Sequence, residues 1–297
     1  ICGVDEEGHY DNIDEPGRSW LLSLISHHNL EAVFAGHVHN YFFNRTDETC
    51  HYVLPSIAFV RHDYSELARI GPAPENGRSD VDKLGYIMVD VFPDGHVARI
   101  VRTYGNETGV DAAADIQTTQ QIESPCIAKG IVAPLAIDLR QDWAEVVKMP
   151  YNGALDEFVR KDVRNDYPML ALGELGLRDL RIPLCDLKAP QKRSRMDDLI
   201  SLGHRFSVFI FGLPNAAELD LFVDHCQLLS SVEIVLASLD QKNLDQLPGI
   251  RKRLAKPIYL SLLRTSAHTS GESIKFNHFI NHGFLPEEGE SVARLMS

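Results

Sequence analysis

Short apolar runs separated by turn residues characterise the first third of this chain. Two pairs of runs predict β-hairpins. The first pairs residues 41–43 with residues 51–54, and the second pairs residues 84–92 with residues 96–104 across the turn sequence Pro93-Asp94-Gly95.

The segment that precedes these hairpins predicts a helix followed by a strand. The helix is expected to start near Asp14, an acidic N-cap followed by a proline in the first turn. Its buried face is predicted to carry four residues at helical spacing, Trp20, Leu21, Leu24 and Ile25. Residues 31–35 are then expected to form a buried strand, which leads into the sequence Gly36-His37-Val38-His39. The first domain is therefore expected to be α/β.

A different and more regular pattern occupies the last third. Apolar runs recur at residues 180–184, 206–211, 232–237 and 258–262, with amphipathic segments between the later ones. Strands that alternate with helices indicate βα units and a parallel sheet. Four such units are half of a TIM-type barrel, and a small open parallel sheet is the competing interpretation.

The strand ends of this repeat are where ligand-binding residues are expected in a parallel sheet. The candidates by position are Cys185, Asp186, Ser238, Asp240, Arg264 and Thr265. They form no recognisable constellation. His278 and His282 are four residues apart but lack the glutamate of a HExxH site, so structural roles are favoured for them.

Between the two patterns lies a polar segment rich in alanine, threonine and glutamine, which predicts a linker. We expect a first domain at residues 1–108, a linker at residues 109–130 and a βα-repeat domain at residues 131–297. Too few residues follow the linker for eight βα units, so the expected barrel is incomplete.

The pair His37 and His39 is the strongest candidate for chemistry. In an extended segment, alternate side chains point the same way, so both imidazoles are expected on one face of the strand end. Neutral imidazole is the commonest protein ligand of transition metals. Two histidines do not complete a metal site, and a simple surface pair is the alternative interpretation.

At Gly36-His37-Val38-His39 the chain resembles the calcineurin-like metallophosphoesterases, whose last motif is Gly-His-x-His. The resemblance covers about the first third of the chain. It implies an α/β sandwich and a two-metal phosphoester hydrolase, with His37 on one metal and His39 on the other, the metals being manganese, iron or zinc. It also places Arg61 and His62 beside the metal cleft as candidates for phosphate contacts, since guanidinium binds phosphate in a bidentate way.

The chain departs from that family in one large respect, because none of the family's earlier motifs precedes Gly36. We therefore expect the sequence to be an internal segment of a longer protein, with a truncated sandwich and only part of the active site. The alternative is a domain that has lost its metal centre and serves as a catalytically inactive scaffold or binding module. In a third hypothesis, the βα domain carries the main activity.

The substrate class implied by the resemblance is a phosphomonoester or phosphodiester, and the motif region favours a cyclic-nucleotide-type substrate among these. The 42 acidic and 29 basic residues give a formal charge of −13, which argues against non-specific nucleic-acid binding. Five scattered cysteines without a CxxC pair predict reduced thiols in a cytoplasmic protein. No apolar run is long enough to predict a membrane span.

Overall fold

The computed structural model describes residues 11–61, 83–103, 135–139, 142–148, 162–264, 281–284, 288–289 and 292–293. The chain forms two compact units. The first comprises residues 1–132 and 141–176, and the second comprises residues 133–140 and 177–297. Both contain helices and strands, so the expected mixed α/β class is confirmed. The predicted linker, residues 109–130, lies outside the described residues.

The elements of the described residues follow in chain order: α1 (Gly17–His28), β1 (Ala32–Ala35), β2 (Phe42–Thr46), β3 (Thr49–Val53), β4 (Gly85–Phe92), β5 (Gly95–Arg102), β6 (Ala136–Asp138), β7 (Val146–Lys148), β8 (Asp162–Arg164), α2 (Tyr167–Glu174), β9 (Asp179–Pro183), α3 (Leu184–Lys188), α4 (Pro190–Ser201), β10 (Arg205–Phe211), α5 (Ala216–Asp224), β11 (Leu229–Leu236), α6 (Gln241–Leu244), α7 (Leu247–Leu254), β12 (Ile258–Arg264) and β13 (Asn281–His282).

The first unit contains both predicted hairpins. Strands β2 and β3 pair antiparallel around a two-residue turn in which Asp47 has a positive φ of 52°, and β1 joins the far edge of β3 in parallel. Strands β4 and β5 form the second hairpin, and β7 pairs with β8 in a further antiparallel pair. The core beneath the first hairpin is apolar and includes Val38, Phe42, Val60 and Val163.

Two burial predictions for this unit are wrong. Strand β1 is half-buried to exposed, with Phe34 41% accessible, and only Ile25 of the predicted helix face is buried, while Trp20 is 64% accessible. The exposure of β1 follows from its position at the edge of its three-stranded sheet. Among the described residues no strand pairs with its outer edge, so it has fewer neighbours than a central strand.

Residues 162–167, which comprise β8 and the start of α2, belong to the first unit, although they were predicted in the second domain. Two of their side chains satisfy the backbone of strand β2: Asp166 accepts a hydrogen bond from the Phe43 N–H at 2.9 Å, and Arg164 donates to the Phe43 carbonyl at 2.8 Å. The Tyr167 hydroxyl lies 3.3 Å from the Tyr41 nitrogen, which donates to it. Side chains thus replace a neighbouring strand at this sheet edge, which ties residues 162–167 to the first hairpin.

The second unit contains a six-stranded sheet in the order β13-β12-β11-β10-β9-β6. Strands β6, β9, β10, β11 and β12 are parallel, and β13 is antiparallel to β12. The parallel strands lie in the same order as in the chain, which is the strand order of a half-barrel and not of a doubly wound sheet. The predicted βα alternation is therefore confirmed.

Alternate residues of the central strands form the core of this sheet. Leu180 and Ile182 in β9, and Phe206 and Val208 in β10, are completely buried. They alternate with Arg181 and Ser207, which therefore project from the opposite face of the sheet. The sheet thus has one apolar face and one face that carries polar side chains.

Candidate functional site

The two histidines of the motif follow directly after strand β1, which ends at Ala35. The prediction that they lie on an extended segment is wrong, because His37 has a φ of 77° and His39 a φ of 55°. Between them, Val38 is buried in the apolar core. The left-handed region is unfavourable for a residue with a side chain and costs about 1–3 kcal/mol at each position. The chain holds this loop in shape through the burial of Val38.

The side chain of His37 is 49% accessible, and its Nε2 lies 3.5 Å from Oδ1 of Asp11. The Asp11 side chain is completely buried, and the same oxygen forms an ion pair with Nη1 of Arg61. The structure thus brings Arg61, a predicted phosphate contact, to a carboxylate next to the first histidine. Asp11 was not singled out from the sequence, since it lies in a polar segment without any periodic pattern.

His39 is partly buried and has a different neighbour. Its Nδ1 lies 3.1 Å from the backbone carbonyl oxygen of Phe59, and the two rings meet edge to face with centroids 4.4 Å apart. A carbonyl oxygen only accepts hydrogen bonds, so the proton of this contact belongs to Nδ1 of His39. In the neutral ring the lone pair then lies on Nε2.

The residue after the pair, Asn40, is 3% accessible, and its Oδ1 has no hydrogen-bond partner within the described part of the chain. A buried amide oxygen without a partner is uncommon, because it has lost its hydration without compensation. Asn40 follows the two histidines directly in the sequence, so this acceptor belongs to the same loop.

The other predicted site features are placed as follows. His62 lies outside the described residues. In the ranges that the structure describes, no group of three or more histidine, cysteine, aspartate or glutamate side chains is close enough to hold a metal ion.

A second polar cluster, which the sequence did not reveal, lies on the polar face of the sheet in the second unit. Nε of Arg181 donates to Glu233 Oε2 at 2.5 Å, and its other nitrogens lie 3.2 Å from Asp138 Oδ1 and 2.8 Å from His282 Nδ1. The guanidinium also lies over the Phe209 ring, 3.8 Å from the centroid. One side chain thus links strands β6, β9, β11 and β13.

Glu233 is the acidic partner on which this cluster depends. Burial alone would raise its pKa, but hydrogen bonds from Arg181 and from the Ser261 hydroxyl outweigh that effect, and the pKa lies below its usual range. The only sequence signal was the position of Arg181 and Glu233, each of which interrupts an apolar run. Because Arg181 and Glu233 satisfy each other, the cluster is well suited to holding the sheet together.

The predicted polar residues at the strand ends of the second unit make separate local contacts and form no common site among the described residues. Asp186 is buried and pairs with Lys192 at 2.8 Å. The Ser238 hydroxyl donates to Asp240, which also accepts from the Asn243 backbone N–H at the start of α6. These residues stabilise local turns and helix starts. Thr265 and His278 lie outside the described residues, as does the side chain of Arg264.

Comparisons with known proteins give no assignment: no protein-family model, no curated protein and no solved structure matches the chain. Within the described residues, the helices are too short or too polar for any of them to cross a lipid bilayer. The candidate site is therefore defined by its own geometry and by the Gly-His-x-His sequence.

Proposed function

We propose that the first unit contributes part of the active site of a metal-dependent phosphoester hydrolase, with His37 and His39 as ligands of two divalent cations. The observation that supports this most directly is the backbone of the pair, since both histidines have a positive φ. Strained non-glycine positions cluster at functional sites, where the strain fixes a side-chain arrangement that function requires.

The donor atoms present agree with such a metal. His39 directs its Nδ1 to a backbone carbonyl, which is the usual second contact of a metal-binding histidine. Imidazole nitrogens suit manganese, iron and zinc, the metals that the motif implies. When bound, a pair of such ions lowers the pKa of a water nucleophile and offsets charge on the phosphoryl oxygens.

The residues of the chain itself have separate roles in this proposal. Burial of Val38 holds the loop, and the two flanking imidazoles provide nitrogen donors. Arg61 pairs with Asp11, but a guanidinium has five N–H donors, so a phosphate contact of Arg61 remains part of the proposal. His62 is proposed for the same role. The substrate class is a phosphomonoester or phosphodiester.

The architecture proposed with this function is a metallophosphoesterase-type sandwich for the first unit and a partial TIM-type barrel for the second. Support for the sandwich comes from contacts between its two hairpins. The His96 ring on β5 pairs with Glu31 before β1, and its Nε2 lies 3.0 Å from the Tyr52 hydroxyl on β3. Support for the barrel comes from the strand order of the parallel sheet.

Metal binding by the whole chain tests the proposal. Titration calorimetry with Mn²⁺ and with Zn²⁺ is expected to detect binding, and His37→Ala and His39→Ala are each expected to weaken it at least tenfold. His28→Ala is the matched control, because this histidine is exposed at the end of α1. Unchanged metal affinity in both motif variants would exclude the ligand assignment.

A further inference from the structure

We propose that strand β13 (Asn281–His282) is a pH-sensitive strap, which stays docked on the sheet of the second unit while His282 is neutral and is released when the ring binds a proton. The contacts of this one side chain with the polar face of the sheet support the inference. It goes beyond the proposed hydrolase function, because it concerns the second unit alone and needs no metal.

The backbone ladder that holds the strap is short in the described part of the chain. Strand β13 pairs with β12 over only two residues, with His282 opposite Leu263. Beyond this ladder the Gly283 N–H donates to the Leu262 carbonyl at 3.0 Å. A strand pair of this length is marginally stable by itself. The side-chain contacts of His282 therefore decide whether the strap stays docked.

The ring of His282 reaches across the sheet. Its Nδ1 lies 2.8 Å from Nη2 of Arg181 on β9, although three other strands lie between β13 and β9 in the sheet order. In a flat sheet the two strands would be about 19 Å apart, with about 4.8 Å for each step. The sheet therefore curves toward its polar face, and His282 lies on the concave side. There it meets the rings of Phe209 and Phe211 at centroid distances of 5.8 and 5.3 Å.

The contact with Arg181 fixes the protonation state of the docked ring. A guanidinium only donates hydrogen bonds, so Nδ1 of His282 accepts this one, and the ring is neutral with its proton on Nε2. A second proton would occupy Nδ1, face the guanidinium and abolish the hydrogen bond. Burial, followed by the charge of Arg181, lowers the pKa of His282, and the charges of Glu233 and Asp138 offset this only in part.

The carboxylates that face the ring from β11 and β6 are already engaged. Glu233 accepts from Arg181 through Oε2 at 2.5 Å and from the Ser261 hydroxyl through Oε1 at 2.6 Å. Nδ1 of His282 lies 4.0 Å from that Oε1, beyond hydrogen-bond distance. Asp138 pairs with Arg181 at 3.2 Å. A protonated ring would thus lose its bond to Arg181 without gaining one to a carboxylate in place.

The sign of the pH dependence follows from proton binding. In the released strap the ring has its ordinary pKa of about 6.5, whereas the pKa of the docked ring is lower. Between the two values the released form binds a proton that the docked form does not bind, so acid favours release. For a single proton, the ratio of released to docked strap rises by up to about tenfold for each pH unit. Release uncovers Arg181 and the Phe209 ring on the concave face.

Amide hydrogen exchange of the whole chain, followed by mass spectrometry between pH 7.5 and pH 5.5, tests the release. The rates are corrected for the intrinsic effect of pH on exchange. We expect the protection of the peptide that contains Gly283 to fall by up to about tenfold for each pH unit below about 6.5. Constant protection of this peptide over the whole range would overturn the inference.

Three variants separate the strap from other titrating groups. His282→Gln retains a hydrogen-bond acceptor but does not titrate, so the protection of the peptide should become nearly independent of pH. His282→Lys carries a permanent charge and should release the strap even at pH 7.5. His225→Gln is the control, because it removes another histidine of the second unit, at the end of α5, and should keep the wild-type profile. The wild-type pH dependence in His282→Gln would assign the effect to other groups and refute the proposal.

Long-range ¹H–¹⁵N NMR spectra of the histidine-labelled wild type give a readout that needs no variant. Nuclear Overhauser effects to the Phe209 and Phe211 rings identify the His282 signal. At pH 7.5 we expect a ring protonated on Nε2 alone. A proton on Nδ1 at this pH, or a titration midpoint of the docked ring at or above about 6.5, would refute the proposal.

Discussion

Asp166 is the residue on which the edge of the first hairpin depends. It is 1% accessible, accepts the Phe43 N–H and forms two hydrogen bonds with Arg164, at 2.6 and 2.9 Å. Removal of one partner of a buried ion pair leaves the other charge without compensation. The backbone N–H of Phe43 would lose its acceptor at the same time.

We therefore expect Asp166→Ala to lower the free energy of unfolding of the first unit by about 3–5 kcal/mol. Urea denaturation followed by circular dichroism measures this. The control is Asp162→Ala, which removes a solvent-exposed ion pair with Lys148 and should change stability by less than about 1 kcal/mol. Equal effects of the two substitutions would contradict the role given to Asp166.

His204 gives the second unit a dependence on pH. It is 3% accessible, and burial, followed by the charges of Arg178 and Arg195, lowers its pKa to about 4. In the unfolded chain the ring keeps its ordinary pKa of about 6.5. Between these values the unfolded state binds a proton that the folded state does not bind, so stability decreases as the pH falls.

The expected loss between pH 6.5 and pH 4 is about 3 kcal/mol, because one pKa unit corresponds to about 1.4 kcal/mol. Unfolding curves of the wild type and of His204→Leu over this range isolate the contribution, since other groups titrate in both proteins. The stability of the wild type relative to that of His204→Leu should fall steadily as the pH is lowered toward 4. A difference that is independent of pH would show that His204 titrates normally.

At the scale of elements, helix α5 has the best-defined start in the second unit. The Asn215 side chain accepts a hydrogen bond from the Glu218 N–H at 3.0 Å, and the Glu218 carboxylate accepts one from the Asn215 N–H at 3.2 Å. Asn215→Ala should lower the free energy of unfolding by about 1 kcal/mol, whereas Asn215→Ser should nearly preserve it. Chemical denaturation of both variants checks this, and equal stability of the two would exclude a capping effect.

Periodicity made the elements of the second unit predictable. Each apolar run that became β9 to β12 is bounded by turn residues and followed or preceded by an amphipathic segment, so local sequence was sufficient. The exposure of β1 was not predictable, because the burial of a strand depends on whether another strand pairs with its outer edge. The attachment of residues 162–167 was missed for a similar reason, since it consists of side-chain contacts to a strand far away in the chain.

The sequence likewise predicted one part of the candidate site and missed another. A motif of two histidines marks its location, and that is a local signal. The positive φ values and the contact with Asp11 come from the packing of Val38 and the loop that contains Phe59, which no pattern in the sequence reports. Sequence therefore indicated which side chains to consider but gave their direction wrongly.

The charge of the whole molecule leads to a prediction about partners. With a formal charge of −13, the chain lacks the surplus of lysine and arginine that phosphate backbones require. In fluorescence anisotropy with a labelled DNA duplex at about 0.15 M salt, we expect no binding up to micromolar protein, with or without Mn²⁺. Binding that weakens steeply with added salt would contradict this expectation.

The contact of residues 162–167 with strand β2 limits how the protein can be shortened. A version that stops near residue 108 retains both hairpins of the first unit but loses Arg164 and Asp166, which satisfy the backbone of Phe43. Its β2 edge would then offer an unpaired N–H and carbonyl to another molecule, and exposed strand edges promote self-association. A soluble version of the first unit therefore has to extend through residue 176.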